Sequence, residues 1–144
     1  MQKDQPPVVV EQEFHRSVHD VWQAITEIDL MRQWYFENIP DFQAKVGFRT
    51  EFAVESGGRT FLHQWQVIQV EAPHKLVYSW RYPDFEGDAF TIFEVSGDNQ
   101  KSRLTVTMDV VKSFQEDIPE FERDSCVGGW NYFICDRLKS FLEQ

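Results

Sequence analysis

The stretch DIPEFERDSCVGGWNYFICDRLKSFLE, from Asp117 to Glu143, decides how this chain must fold. In it Val127, Trp130, Ile134, Leu138 and Phe141 are spaced by three, four, four and three positions. Phe133 and Leu142 widen the stripe into one apolar helical face, and Arg123, Asp124, Asn131, Asp136, Lys139 and Ser140 fall largely away from it. Asp117, Pro119 and Glu120 read as a cap and first turn: an oxygen acceptor, an early proline, then a carboxylate near the positive helix end. A helix from Pro119 to Leu142 would run about 36 Å at about 1.5 Å per residue, so only a broad apolar surface can bury it. Gly128-Gly129 costs about 1 kcal/mol per glycine inside such a helix, which predicts a bend or a close backbone approach.

The preceding residues supply that surface. Phe48, Thr50, Phe52 and Val54 alternate with Arg49, Glu51 and Glu55, and Gly57-Gly58 turns the chain into a second run. There Phe61, His63, Trp65 and Val67 share one face. After Ala72-Pro73-His74, the residues Leu76, Tyr78, Trp80 and Tyr82 alternate with Val77, Ser79 and Arg81. A strand follows near Ala89–Val95, then the turn Ser96-Gly97-Asp98-Asn99, then a strand carrying Leu104, Val106, Met108 and Val110. Earlier still, Val8, Val10 and Phe14 mark a first strand. Ser17 with Asp20 reads as a capped start for Val18, Val21, Trp22 and Ile25, and Asp29 as the cap of a second short helix ending near Trp34-Tyr35-Phe36. Met1–Pro7 reads as a flexible polar tail. The predicted class is α+β: one strand, two short helices, about five antiparallel strands and a long terminal helix, a single domain over 1–144.

Composition narrows the partners. Of 144 residues, 42% are hydrophobic and 15% aromatic, with 13 Phe and 5 Trp, which implies a ring-filled interior rather than a disordered chain. A formal net charge of −10 argues against nucleic acid and anionic membranes as partners. No run approaches the roughly 20 apolar residues of a membrane span, and the first ten residues do not read as a signal peptide. Cys126 and Cys135 would lie about 13 Å apart along one helix, too far for a disulfide. A reduced, cytoplasmic protein is the expectation, as a monomer or weak homodimer.

Several local motifs occur together in order. Val21-Trp22, Trp34-Tyr35, Val46-Gly47-Phe48, Leu76-Val77-Tyr78-Ser79-Trp80, and Gly129-Trp130 with Leu138 and Leu142 resemble the bacterial proteins similar to the C-terminal domain of the activator of Hsp90 ATPase. That family belongs to the START-like, Bet v 1-like superfamily with its helix-grip fold, and the resemblance spans about Val10 to Glu143. It implies a cavity between sheet and terminal helix, used across the superfamily for lipids, sterols and polyketides. The chain departs from the pattern at Val18, where proline is usual ahead of the Val-Trp pair, at the additional Gly128, and in the long acidic stretch Gln115–Asp124.

A six-stranded sheet curls, and one helix cannot fill its concave face edge to edge. Trp34, Phe52, His63, Trp65, Tyr78, Trp80, Tyr82, Phe93, Met108, Trp130, Phe133 and Ile134 are therefore the candidate ligand-binding residues, with Tyr78, Tyr82, His63 and Arg81 as polar anchors. The same alternation also describes a plain core. A void of about 300 Å³ or more that reaches solvent would favour a binding site over close packing. His15, His19, His63 and His74 share no metal-ligand spacing, so neither metal nor cofactor is expected. No nucleophile has a base at a recognisable offset and no glycine-rich phosphate loop follows a strand, so no catalytic residue is assigned. The leading expectation is binding of a small apolar or amphipathic molecule, of lipid, sterol or polyketide type. The alternatives are a polyketide cyclase- or hydrolase-like enzyme with His63 as base, and a co-chaperone of an Hsp90-type ATPase.

Overall fold

The computed structural model describes residues 1–144. Alternation becomes six strands: β1 Val8–Phe14, β2 Arg49–Ser56, β3 Arg59–Glu71, β4 Lys75–Arg81, β5 Asp88–Gly97 and β6 Ser102–Lys112. They form one antiparallel sheet in the order β1-β6-β5-β4-β3-β2, a meander whose last strand pairs back onto the first. The registers Val8↔Met108, Phe52↔His63, Trp65↔Trp80 and Leu76↔Phe93 bring buried residues, all apolar but His63, opposite one another on the inner face. Gly57 (φ 57°) and Gly58 (φ 79°) close the β2–β3 hairpin with the positive dihedrals a tight turn requires. Gly87 (φ 130°) lies against Phe114, where an added Cβ would come within 2.3 Å of the ring.

Between β1 and β2 sit α1 (Val18–Thr26) and α2 (Ile28–Trp34). The Ser17 hydroxyl accepts the Asp20 amide at 3.0 Å, as the capping pattern predicts. Asp29 does not cap α2. Glu27 alone separates the two helices, serving as C-cap of one and N-cap of the next, so Asp29 falls inside the first turn.

The terminal helix starts later than its pattern suggests. Pro119–Phe121 form a single 3₁₀ turn, Asp117 takes φ 66° instead of capping, and Glu122 is extended (ψ 149°). Phe121 is drawn into rings from the rest of the chain, 5.0 Å from Tyr82 and 5.4 Å from Phe61, which separates this turn from the helix. The helix, α3, then runs unbroken through an α stretch Arg123–Trp130, a π stretch Asn131–Leu138 and a final α turn Lys139–Leu142. It buries Trp130, Ile134, Leu138 and Leu142, a strict step of four consistent with the wider π turn. Val127 and Phe141 are only partly covered. The close backbone approach expected at Gly128-Gly129 is not found: both lie within the α stretch, and added Cβ atoms there would meet nothing within 4 Å.

The first residues are hydrogen-bonded to the body. The Phe114 amide donates to the Met1 carbonyl at 2.9 Å, Lys3 N–H to Ser113 Oγ at 3.0 Å, and the Arg123 guanidinium to the Pro7 carbonyl at 3.3 Å.

Candidate functional site

The rings of the inner face separate into a packed cluster and a hollow. In the cluster Trp34 stacks on Tyr35 (centroids 4.5 Å), Tyr35 on Trp65 (5.3 Å), and Phe52 meets Trp65 edge-on (4.9 Å). Its polar atoms are largely tied internally: Trp34 Nε1–H donates to the Ala24 carbonyl at 2.8 Å, and the Tyr35 and Tyr78 hydroxyls share a hydrogen bond of 2.7 Å. Trp34, Phe52, Trp65, Tyr78, Phe93 and Ile134 are buried, and none of these six reaches the hollow.

The hollow lies between the first turns of α3 and the β3, β4 and β6 strands. It is about 180 Å³ in volume, and ten of its thirteen lining residues are apolar. Six sequence candidates meet there: His63, Trp80, Tyr82, Met108, Trp130 and Phe133. Met1, Phe36, Phe114, Glu120, Phe121, Cys126 and Gly129 complete the wall. Phe114 and Phe121 were beyond the reach of strand alternation because they sit in the acidic connection to α3. Two isolated rings among Gln115, Glu116, Asp117 and Glu120 were the only signal. The volume falls below the about 300 Å³ set above for a binding site, so by that measure close packing is favoured, and no sterol-sized molecule fits without the wall moving.

Two polar groups face this apolar space. His63 Nδ1 lies 3.0 Å from the Phe61 carbonyl. A carbonyl only accepts, so Nδ1 carries the proton and Nε2 presents a lone pair with no partner in the protein. Burial pushes the His63 pKa down to about 4, so the ring is neutral at pH 7. The Tyr82 oxygen accepts Trp80 Nε1–H at 2.8 Å, which leaves its own proton free to donate. Burial also raises the Tyr82 pKa, keeping the phenol protonated, and pushes the Cys126 thiol up to about 11, far from a reactive thiolate. Glu120 is only half engaged: its Oε2 accepts from Ser56 Oγ at 2.9 Å, while Oε1, 3.7 Å from Arg59, has no hydrogen-bond partner. The Ser56 hydrogen bond is the main cause holding its carboxyl below the usual range.

Arg81 is not an anchor. It points to the outer face and pairs with Asp88 at 3.0 Å, because strand alternation places it opposite in sense to Trp80 and Tyr82. A larger concavity of about 590 Å³ does lie on that outer side, edged by Arg49, Glu51, Gln64, Gln66 and Arg81. Only two of its eleven lining residues are hydrophobic. No cluster of three His, Cys, Asp or Glu side chains could hold a metal ion, and no helix is long and apolar enough to cross a membrane.

A curved antiparallel sheet gripping a long terminal helix, with two short helices after the first strand, is the helix-grip architecture of START-like, Bet v 1-like proteins. Within it the chain belongs to the family "Activator of Hsp90 ATPase homolog 1-like protein", whose model matches residues 15–143. Among solved structures it is similar to DynU16, a protein of the dynemicin biosynthetic locus, with 22% identity and a TM-score of 0.76. That match covers 97% of this chain and 48% of the other, so the chain spans about half the length of DynU16. It is also similar to CV1439 from Chromobacterium violaceum (TM-score 0.77, 16% identity, 96% of this chain and 97% of that one). MLL2253 from Mesorhizobium loti is a further relative in shape (TM-score 0.74, 24% identity, 96% and 97%). No curated protein sequence matches significantly.

Proposed function

We propose that this protein binds a small apolar molecule in the hollow between its sheet and α3. The observation that carries the reading is Gly129. It lines the hollow, and a Cβ at that position would meet nothing within 4 Å. A helix gains about 1 kcal/mol when alanine replaces glycine in its interior, and a side chain there would also fill apolar space. Glycine forgoes both gains and leaves the space open. Removal of apolar area from water, at about 25 cal/mol per Å², supplies the driving force.

The size narrows the ligand. An engineered apolar cavity of about 150 Å³ in another protein admits benzene, so about 180 Å³ suits one substituted ring. The longer lipids, sterols and polyketides expected from the sequence would need the wall formed by Met1, Phe114 and Phe121 to open. Binding is favoured over cyclase-like turnover because a histidine with a pKa of about 4 is a weak base at neutral pH. A monomeric or weakly dimeric cytoplasmic protein accords with this role.

Trp80 and Trp130 flank the hollow with centroids 5.9 Å apart, which makes indole emission the natural reporter. Titration with single-ring compounds should shift that emission saturably. If no compound of this size shifts it, and none protects the fold against thermal unfolding, the proposal is wrong.

A further inference from the structure

We propose that the hollow selects a single-ring molecule whose polar end carries a hydrogen-bond acceptor beside a donor, met by the Tyr82 hydroxyl and His63 Nε2 respectively. This rests on the hollow being a binding site and says what it would choose.

The geometry sets the pair up from the backbone. His63 lies on β3, and Gln64 pairs with Arg81 across to β4, so Tyr82, one residue beyond β4, continues that register opposite His63. Their rings meet edge to face at 82° with centroids 4.9 Å apart. Each ring is fixed by its other polar contact. The Phe61 carbonyl takes the proton of His63 Nδ1, and Trp80 Nε1–H occupies the Tyr82 oxygen. What remains is one lone pair on imidazole and one phenolic proton, on rings that meet at an apolar hollow. Both groups can take a further hydrogen bond, so a guest that satisfies both gains over one that satisfies neither.

Charge does not set a further condition: the Met1 α-ammonium, which donates to the Phe121 carbonyl, and Glu120 Oε1, which has no hydrogen-bond partner, both belong to residues of the wall. A ring-borne primary amide or lactam presents its carbonyl and N–H adjacent to one another, which is the complement of this pair.

Benzamide, acetophenone and ethylbenzene test the assignment by calorimetric titration and tryptophan emission at pH 7.5, on the wild-type chain and on Tyr82→Phe. Acetophenone replaces the amide NH₂ with a methyl group, so it keeps the acceptor and loses the donor. Benzamide should bind about ten-fold more tightly than acetophenone although it is the less apolar of the two. Tyr82→Phe should weaken benzamide by about ten-fold while changing ethylbenzene less than about two-fold. Acetophenone or ethylbenzene binding as tightly as benzamide would overturn the inference and leave an unselective apolar site. Equal losses for benzamide and ethylbenzene in Tyr82→Phe would reduce Tyr82 to a structural role and overturn it too. Binding of none of the three would remove the hollow as a site altogether. If Tyr82→Phe does not fold, the wild-type ratio of benzamide to acetophenone decides alone.

Discussion

Replacing His63 with phenylalanine should flatten the acid side of the stability profile. In the native protein the imidazole is 5% exposed, stacks on Phe52 at 5.0 Å, and has its pKa pushed from 6.5 down to about 4 by burial. In the unfolded chain it titrates near 6.5. As pH falls through 6.5 the unfolded form takes a proton that the native form still refuses, so the equilibrium moves toward unfolding until the native ring itself titrates near 4. The neutral histidine's contribution is therefore complete above about pH 6.5 and is lost as the solution becomes more acid. With those two pKa values the loss is about 2 kcal/mol at pH 5 and about 2.5 kcal/mol at pH 4.5. Phenylalanine keeps the ring contacts with Phe36, Phe52 and Trp80 but does not titrate. The other ionisable groups are common to both chains, so the difference between them isolates His63. Urea unfolding at half-unit steps from pH 7.5 to 4.5 measures it. A fixed offset at pH 7.5 is expected from the lost hydrogen bond to Phe61, and the diagnostic quantity is the change in that offset. If it stays constant within about 0.5 kcal/mol down to pH 4.5, the imidazole is not held neutral in the interior, and the assignment of Nε2 as an acceptor fails with it.

Three further pairs of substitutions probe the surrounding packing. Gly128→Ala and Gly129→Ala should each stabilise by about 1 kcal/mol in urea unfolding, but only Gly129→Ala should weaken ring-compound binding, because only Gly129 lines the hollow. Equal binding by the two variants would mean that the glycine does not hold that space open. Tyr35→Phe and Tyr78→Phe should each cost about 1–3 kcal/mol by orphaning the other hydroxyl, and the double variant should cost less than their sum. Strict additivity in that cycle would contradict the shared 2.7 Å hydrogen bond. Gly87→Ala should cost more than about 2 kcal/mol, since its Cβ would come within 2.3 Å of Phe114 at φ 130°. Gly58→Ala, with open space around it, should cost only the backbone strain of about 1–2 kcal/mol, and similar losses at the two positions would count against the Phe114 contact.

The sheet was readable because period-two alternation is a local property. Phe61, His63, Trp65 and Val67 declare their common face without reference to any other strand, and Gly57-Gly58 and Ser17 with Asp20 mark their turn and cap within four residues. What could not be read depended on residues far apart in the chain. Phe121 leaves the helical stripe because Phe61 and Tyr82 offer it a buried berth, and nothing in PEFER reports those partners. Alternation likewise gives a face but not a depth. Trp65 and Trp80 are paired neighbours on the same inner face, yet one is packed among Tyr35, Phe52 and Tyr78 while the other borders open space. Six of the twelve candidates fell on the packed side of that boundary for this reason.

The position of the boundary follows from α3. Its later turns present Ile134, Leu138 and Leu142 in steps of four and lie beside β1 and α2, where aliphatic side chains fill the concavity. Its first turns carry Gly128 and Gly129, so one residue before Trp130 the helix has nothing to offer the sheet. Opposite that gap stand rings too rigid to collapse into it: Trp80 and Tyr82 have few rotamers and are tied to each other by a hydrogen bond. Hence the hollow, bordered by His63 and Tyr82, lies where Gly129 leaves a gap in the helix face between Cys126, Trp130 and Phe133.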